Sequence, residues 1–96
     1  MARIIPFVPY DPTMRLRADD VTWQEIDGEL VILDLARSTY LTTNSTGAFL
    51  AKHLVEETTA EALADALVAE YGIEAADAAA DVEAFLGELR RLELLA

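Results

Sequence analysis

The run Thr39-Tyr40-Leu41-Thr42-Thr43-Asn44-Ser45-Thr46-Gly47 divides the chain into two regimes. Its first five residues have the β-branched and aromatic chemistry of a strand, whereas Asn44 and Ser45 are residues that cap helices. A strand therefore ends and a helix begins inside nine residues. Tyr40 and Leu41 must face opposite sides of any sheet they join, because side chains alternate along a strand.

Working back from this run, Leu30 to Leu35 is almost wholly apolar, as expected of a strand central to its sheet, and Ala36-Arg37-Ser38 forms the turn between the two. Val21 to Ile26 alternates, with Val21 and Trp23 on one side and Thr22, Gln24 and Ile26 on the other. Asp27-Gly28 supplies two residues that tolerate positive φ, the requirement of a type I′ hairpin turn. The sequence thus predicts a three-stranded antiparallel meander whose outer strands are both edges. Residues 39 to 43 contain neither charge nor proline, the usual protections of an edge against pairing with another chain.

Working forward, the sequence predicts three helices. The first runs from Asn44 or Ser45 to about Val55, with Phe49, Leu50, His53 and Leu54 at helical spacing and Gly47 permitting close approach in its first turn. Thr58-Thr59-Ala60-Glu61 has capping-box form and opens a second helix that Gly72 ends; Leu63, Leu67 and Tyr71 are its expected core stripe. The third spans about Ala75 to Leu92 and presents Val82, Phe85, Leu86, Leu89 and Leu92. That stripe is wider than one face, which suggests contact with the core and with a groove beside the third strand. The fold class is α+β and winged-helix-like, in a domain from residue 21 to 96 preceded by an arm, residues 1 to 20, with prolines at 6, 9 and 12.

Composition narrows the function. The 96 residues include no cysteine and a single histidine, His53, which removes disulfides and thiolate metal sites and leaves little for a metal centre or a histidine-based triad. His53, on or beside an apolar face, reads as a structural residue. No metal or cofactor is implied. The N-terminus lacks the long apolar segment of a secretory signal, and no apolar run approaches the roughly 18 residues of a membrane span, so a cytoplasmic protein without membrane association is expected. The net charge is −11, of which residues 56 to 96 contribute −9 from eleven acids and two bases. Such a field opposes nucleic acid and favours cationic or neutral partners. Asp77, Asp81 and Glu88 share a flank of the third helix, where carboxylates form a solvated face, meet a basic residue of a bound peptide, or do acid–base chemistry if a cleft shifts their pKa values.

The ordered series Asp27-Gly28-Glu29-Leu30-Val31-Ile32-Leu33-Asp34, Tyr40 through Asn44-Ser45-Thr46-Gly47, Glu70-Tyr71-Gly72, and Asp81-Val82 with Phe85-Leu86 resembles the PqqD-like family over about residues 14 to 96. These are the RiPP recognition elements, which bind leader segments of ribosomally made precursor peptides. Three positions depart from the family pattern: Ala51 where an aromatic residue is common, Thr43 where leucine is common, and Glu93 where glycine often precedes the final Leu-Leu. The resemblance implies a leader paired antiparallel with the third strand through Thr39, Tyr40, Leu41 and Thr42, and lying against Asp81, Val82, Phe85, Glu88 and Leu89 of the third helix. It implies no catalysis by the domain itself, and delivery of the precursor to a modifying enzyme such as a radical-SAM protein, a leader peptidase or a cyclase, in lasso-peptide or other pathways. The competing reading is a winged-helix transcription regulator, which the acidic charge and the lack of a basic recognition helix oppose. An open edge of this kind can also pair two copies of the chain into a homodimer.

Overall fold

The computed structural model describes residues 13–96. Three strands, β1 (Val21–Ile26), β2 (Glu29–Asp34) and β3 (Thr39–Thr43), form an antiparallel sheet in the order β1-β2-β3, followed by α1 (Ser45–His53), α2 (Ala60–Tyr71) and α3 (Ala75–Arg91). This is the expected α+β architecture. Asp27 and Gly28 both take positive φ, 52° and 82°, so the β1–β2 turn has the anticipated hairpin chemistry.

The register assigns the faces of the sheet. Leu30, Ile32 and Asp34 are buried on the helix side, and their partners across the ladder are Thr43, Leu41 and Thr39. Leu41 therefore turns toward the helices, while Tyr40, paired with Leu33, turns outward and is 67% exposed. On β1 the same rule sends Val21 and Trp23 toward the helices, but only Val21 is half-buried, and Trp23 stays exposed at the rim. The core is a leucine cluster beneath the sheet: Leu30, Leu50, Leu54, Leu63, Leu67, Leu86, Leu89 and Leu94 are each at most 1% exposed.

Caps fix the helix boundaries. The Asn44 side chain accepts the Gly47 N–H at 2.8 Å and starts α1. Thr59 caps α2 by accepting the Ala62 N–H at 3.1 Å, one residue later than the expected Thr58–Glu61 box. Thr58 is otherwise engaged, since its N–H and C=O exchange hydrogen bonds with Met14 at 2.9 and 2.8 Å. Tyr71, expected in the core stripe of α2, is 45% exposed and lies edge-on to Phe49 at 5.6 Å. Phe49 also packs on His53, whose Nδ1 donates to the Phe49 carbonyl at 2.9 Å.

The segment entering the domain is stitched between distant parts of the chain. Besides the Met14–Thr58 pair, Leu16 N–H donates to Leu54 O, Arg17 N–H to Leu94 O, and Ala96 N–H to Arg15 O, and Leu16 is buried. Arg17 continues the stitching with its side chain. Its Nη2 lies 2.9 Å from Oδ2 of Asp34, a carboxylate only 1% exposed, and its Nη1 donates to the Glu93 carbonyl. Arg37 closes the cluster, with its backbone N–H on Asp34 Oδ1 at 3.2 Å and its guanidinium on Glu93 Oε1 at 2.9 Å. Arg17 and Arg37 thus meet on one buried carboxylate, and Glu93 joins the cluster through both arginines.

Burial alone would raise the Asp34 pKa, but hydrogen bonds from Arg17 and Arg37 and the charge of Arg17 outweigh it and hold the carboxyl below its ordinary 3.8. A group whose folded pKa is depressed stabilises the fold above its unfolded pKa, and that contribution is lost as pH falls through the folded value. Asp34→Asn is therefore expected to lower the thermal midpoint by several degrees at neutral pH. Below about pH 4 the gap between variant and parent narrows as the parent carboxylate is protonated; thermal melts of both proteins from pH 7 to pH 3 measure it.

Candidate peptide-binding cleft

β3 is the outer strand on one side of the sheet, with no further strand beyond it among the described residues. Backbone groups alternate in direction along a strand, so half of its N–H and C=O groups point away from β2 and are available to another chain. The end of this edge is set by a close contact. A Cβ placed on Gly47 would come 2.8 Å from Thr43 Cβ and 3.3 Å from Phe85 Cε1. The missing side chain lets the first turn of α1 touch the last residue of β3 while α3 closes from the side. Thr43 is anchored in turn by its hydroxyl, which donates to the Leu30 carbonyl at 3.3 Å.

These elements enclose a cleft of about 340 Å³ lined by Asn44, Thr46, Gly47 and Leu50 from the start of α1 and by Asp81, Ala84, Phe85 and Glu88 from α3. Its floor is apolar and its rim polar, the usual make-up of a site that seats an apolar anchor. A wider hollow of about 500 Å³ beside Trp23, Lys52, His53, Val55 and Glu56 lies at the β1 side, where the Lys52–Glu25 ion pair at 2.8 Å borders it. The cleft on α3 is the stronger candidate because Gly47 in its lining abuts Thr43, the end of the strand whose outer edge is unpaired among the described residues.

The residues expected from sequence fall into three sets. Asp81, Phe85 and Glu88 line the cleft. Thr39, Tyr40, Leu41 and Thr42 form the strand that leads to it, with Thr39 and Leu41 on the helix side and Tyr40 and Thr42 on the outer side. Val82 and Leu89 are 1% and 0% exposed and belong to the core. They line no part of the cleft and offer no surface to a ligand, since the helical pitch that brings Phe85 to the rim rotates positions 82 and 89 inward with Leu86. Asn44, Thr46, Leu50 and Ala84 were not expected there. Asn44 reads as a cap and Leu50 as part of an apolar helix face, Thr46 and Ala84 carry no signal of their own, and only the approach of α1 to α3 gathers the four.

The two carboxylates that line the cleft from α3, Asp81 and Glu88, differ in their partners. Glu88 is clasped by Arg91, with Nη2 on Oε1 at 2.7 Å and Nε on Oε2 at 3.2 Å. That hydrogen-bonded pairing, rather than the smaller opposing effect of burial, holds the Glu88 carboxyl below its ordinary 4.5. A carboxylate held ionised in this way is a poor proton donor near neutral pH. Among the described residues no group of three or more His, Asp or Glu is placed to hold a metal ion, and no helix is long and apolar enough to cross a membrane.

Two glycines test the packing in opposite directions. Gly47→Ala forces a methyl against Cβ of Thr43, which cannot swing away, and is expected to cost about 1–3 kcal/mol. Gly87→Ala, at an exposed position in α3 where an added Cβ meets nothing within 4 Å, is expected to stabilise the domain by about 0.5–1 kcal/mol. Urea unfolding of the two variants and the parent reads both signs.

Two solved domains share this fold. The structure of TbiB1 in complex with the TbiA(beta) leader peptide is 32% identical over 84% of this chain and 93% of that one, with a TM-score of 0.75. A lasso peptide synthetase B1 complexed with the leader peptide is 26% identical over 86% of this chain and 96% of that one, with a TM-score of 0.74. Comparison with curated protein sequences gave no significant match. The family model described as coenzyme PQQ synthesis protein D matches residues 29–95, which contain the second and third strands and all three helices, and the chain belongs to the PqqD family.

Proposed function

We propose that this domain binds the leader segment of a ribosomal precursor peptide and carries no catalytic activity of its own. The leader adds to the β3 edge as a fourth, antiparallel strand. Its main chain bonds to the outward N–H and C=O groups of Thr39 to Thr42, which gives affinity tolerant of sequence. Side chains of the added strand on the helix side reach the cleft over Leu50 and Phe85, where an apolar anchor is selected. The alternate side chains emerge beside Tyr40 and Thr42. Precursor held this way is presented to a modifying enzyme, whether a radical-SAM protein, a leader peptidase or a cyclase.

The observation that carries this reading is the β3 edge, unpaired on its outer side among the described residues and ending at an apolar-floored cleft, in a chain that resembles two domains solved with leader peptides bound. The charge distribution agrees with it, since residues 56 to 96 carry −9 and would repel nucleic acid. The domain supplies binding; the chemistry belongs to its partner.

Backbone pairing and anchor recognition are separable experimentally. N-methylation of the TbiA(beta) leader peptide, one residue at a time, removes single backbone donors without touching the protein. Fluorescence anisotropy should show binding weakened about tenfold at alternate positions of the paired segment and little changed at those between, the period of a strand. Phe85→Ala should weaken binding of the unmodified leader by a similar factor. Loss of affinity spread evenly along the leader would be incompatible with strand addition.

A further inference from the structure

The two acids of the cleft are in different electrostatic states. Glu88 gives both carboxylate oxygens to the guanidinium of Arg91, so its charge is already met within α3. Asp81, two turns earlier on the same wall, is exposed, and among the described residues it has no hydrogen-bond donor and no Lys, Arg or His within ion-pair distance. Ala84 and Phe85 lie between the two acids on the helix and present apolar surface. The opposite wall is uncharged: beside Gly47 and Leu50 its polar members are Thr46 and Asn44, whose side-chain oxygen is occupied by the Gly47 N–H.

Resting on the leader-binding reading above, we propose that Asp81 makes the cleft select leaders with a lysine or arginine beside the apolar anchor. The long aliphatic stem of such a residue can lie along Ala84 and Phe85 while its charged head reaches the Asp81 carboxylate, the division of labour that these side chains adopt on mixed surfaces. The domain's own field works in the same direction, because eleven of its acids lie in residues 56 to 96 and draw a cationic segment toward α3. A leader with an acidic residue at that place meets an unscreened like charge instead. Discrimination between the two peptides is then larger than the affinity either gains, which is how charge at an interface rim ordinarily acts.

The test uses the full chain and two probes, the TbiA(beta) leader peptide and the leader bound by the lasso peptide synthetase B1. Each is scanned with lysine and, separately, with glutamate at successive positions, and binding is read by fluorescence anisotropy at low and high salt. The expected result is a position where lysine binds about three- to tenfold more tightly than glutamate, with the gap shrinking as salt is added. D81N should close that gap. E83Q, which removes the same charge from the flank of α3 facing α2, should leave it open. Leader binding with no lysine–glutamate gap at any position, or with a gap that survives D81N, overturns the role of Asp81 and leaves the leader-binding reading standing. Failure of every variant of both leaders to bind overturns the two together.

Discussion

The contact on which the binding face depends is the one at Gly47. Strand and helix are joined there without a loop, since β3 ends at Thr43, Asn44 caps, and α1 begins at Ser45. A connection this short fixes the angle between the elements only if their backbones can approach, and a side chain at position 47 would hold them apart. Gly47 has ordinary negative φ, unlike Gly28 and Gly72, so its role is to leave space. Phe85 occupies part of that space from the α3 side. One absent side chain therefore lets the strand end, the capped helix start and the inner wall of the cleft come together.

The other end of β3 is fixed by charge. Asp34 closes β2, and Arg37, in the turn before β3, binds it through both its backbone N–H and its guanidinium. Arg17 and Glu93 bring the entering segment and the chain end onto the same point. Glu93 itself sits at φ 58°, a left-handed position that favours glycine, where the Leu94 N–H bonds to Leu89 O and the Glu93 N–H to Arg90 O in the pattern of a Schellman motif. An acidic side chain there costs about 1 kcal/mol in backbone strain, and its ion pair with Arg37 is the compensating contact. With both ends pinned, the four residues between are held extended before anything binds, so a partner strand loses its own freedom on docking while the domain loses little.

Period and punctuation made the fold legible in the sequence. The Asp27-Gly28 turn, the apolar run of β2, the Asn44 cap and the Gly72 stop are local signals, and each specifies its element with little help from distant residues. What the sequence hid is what depends on distant residues. Nothing in the run Leu33-Asp34-Leu35 marks Asp34 as buried, because its partners lie 17 residues before it and three after it, with the chain end alongside. Tyr71 matched the spacing of a core stripe yet lies exposed, as a bulky polar-tipped side chain at the last position of α2 can leave the core at small cost. The family resemblance places Val82 and Leu89 against the ligand, which the width of the α3 stripe suits. A stripe shows how much of a helix is covered, and only the packing shows which part is covered by the protein itself.

The division of the site between backbone and side chains has a consequence for specificity. An edge strand recognises any peptide able to extend, so selectivity has to come from the cleft at its end, and the cleft has few means to supply it. A floor of Ala84 and Phe85 over the buried Leu50 rewards apolar size with little regard to shape. Asn44 is committed to its helix and Glu88 to Arg91, which leaves Asp81 as the polar group in the cleft with its charge unspent. Discrimination by a single rim carboxylate is modest in water, but it acts on a peptide already registered by several main-chain bonds. In a strand that is already registered, moving a charge by one residue moves it to the opposite face. A weak interaction at one position can therefore decide between leaders that pair with the edge equally well.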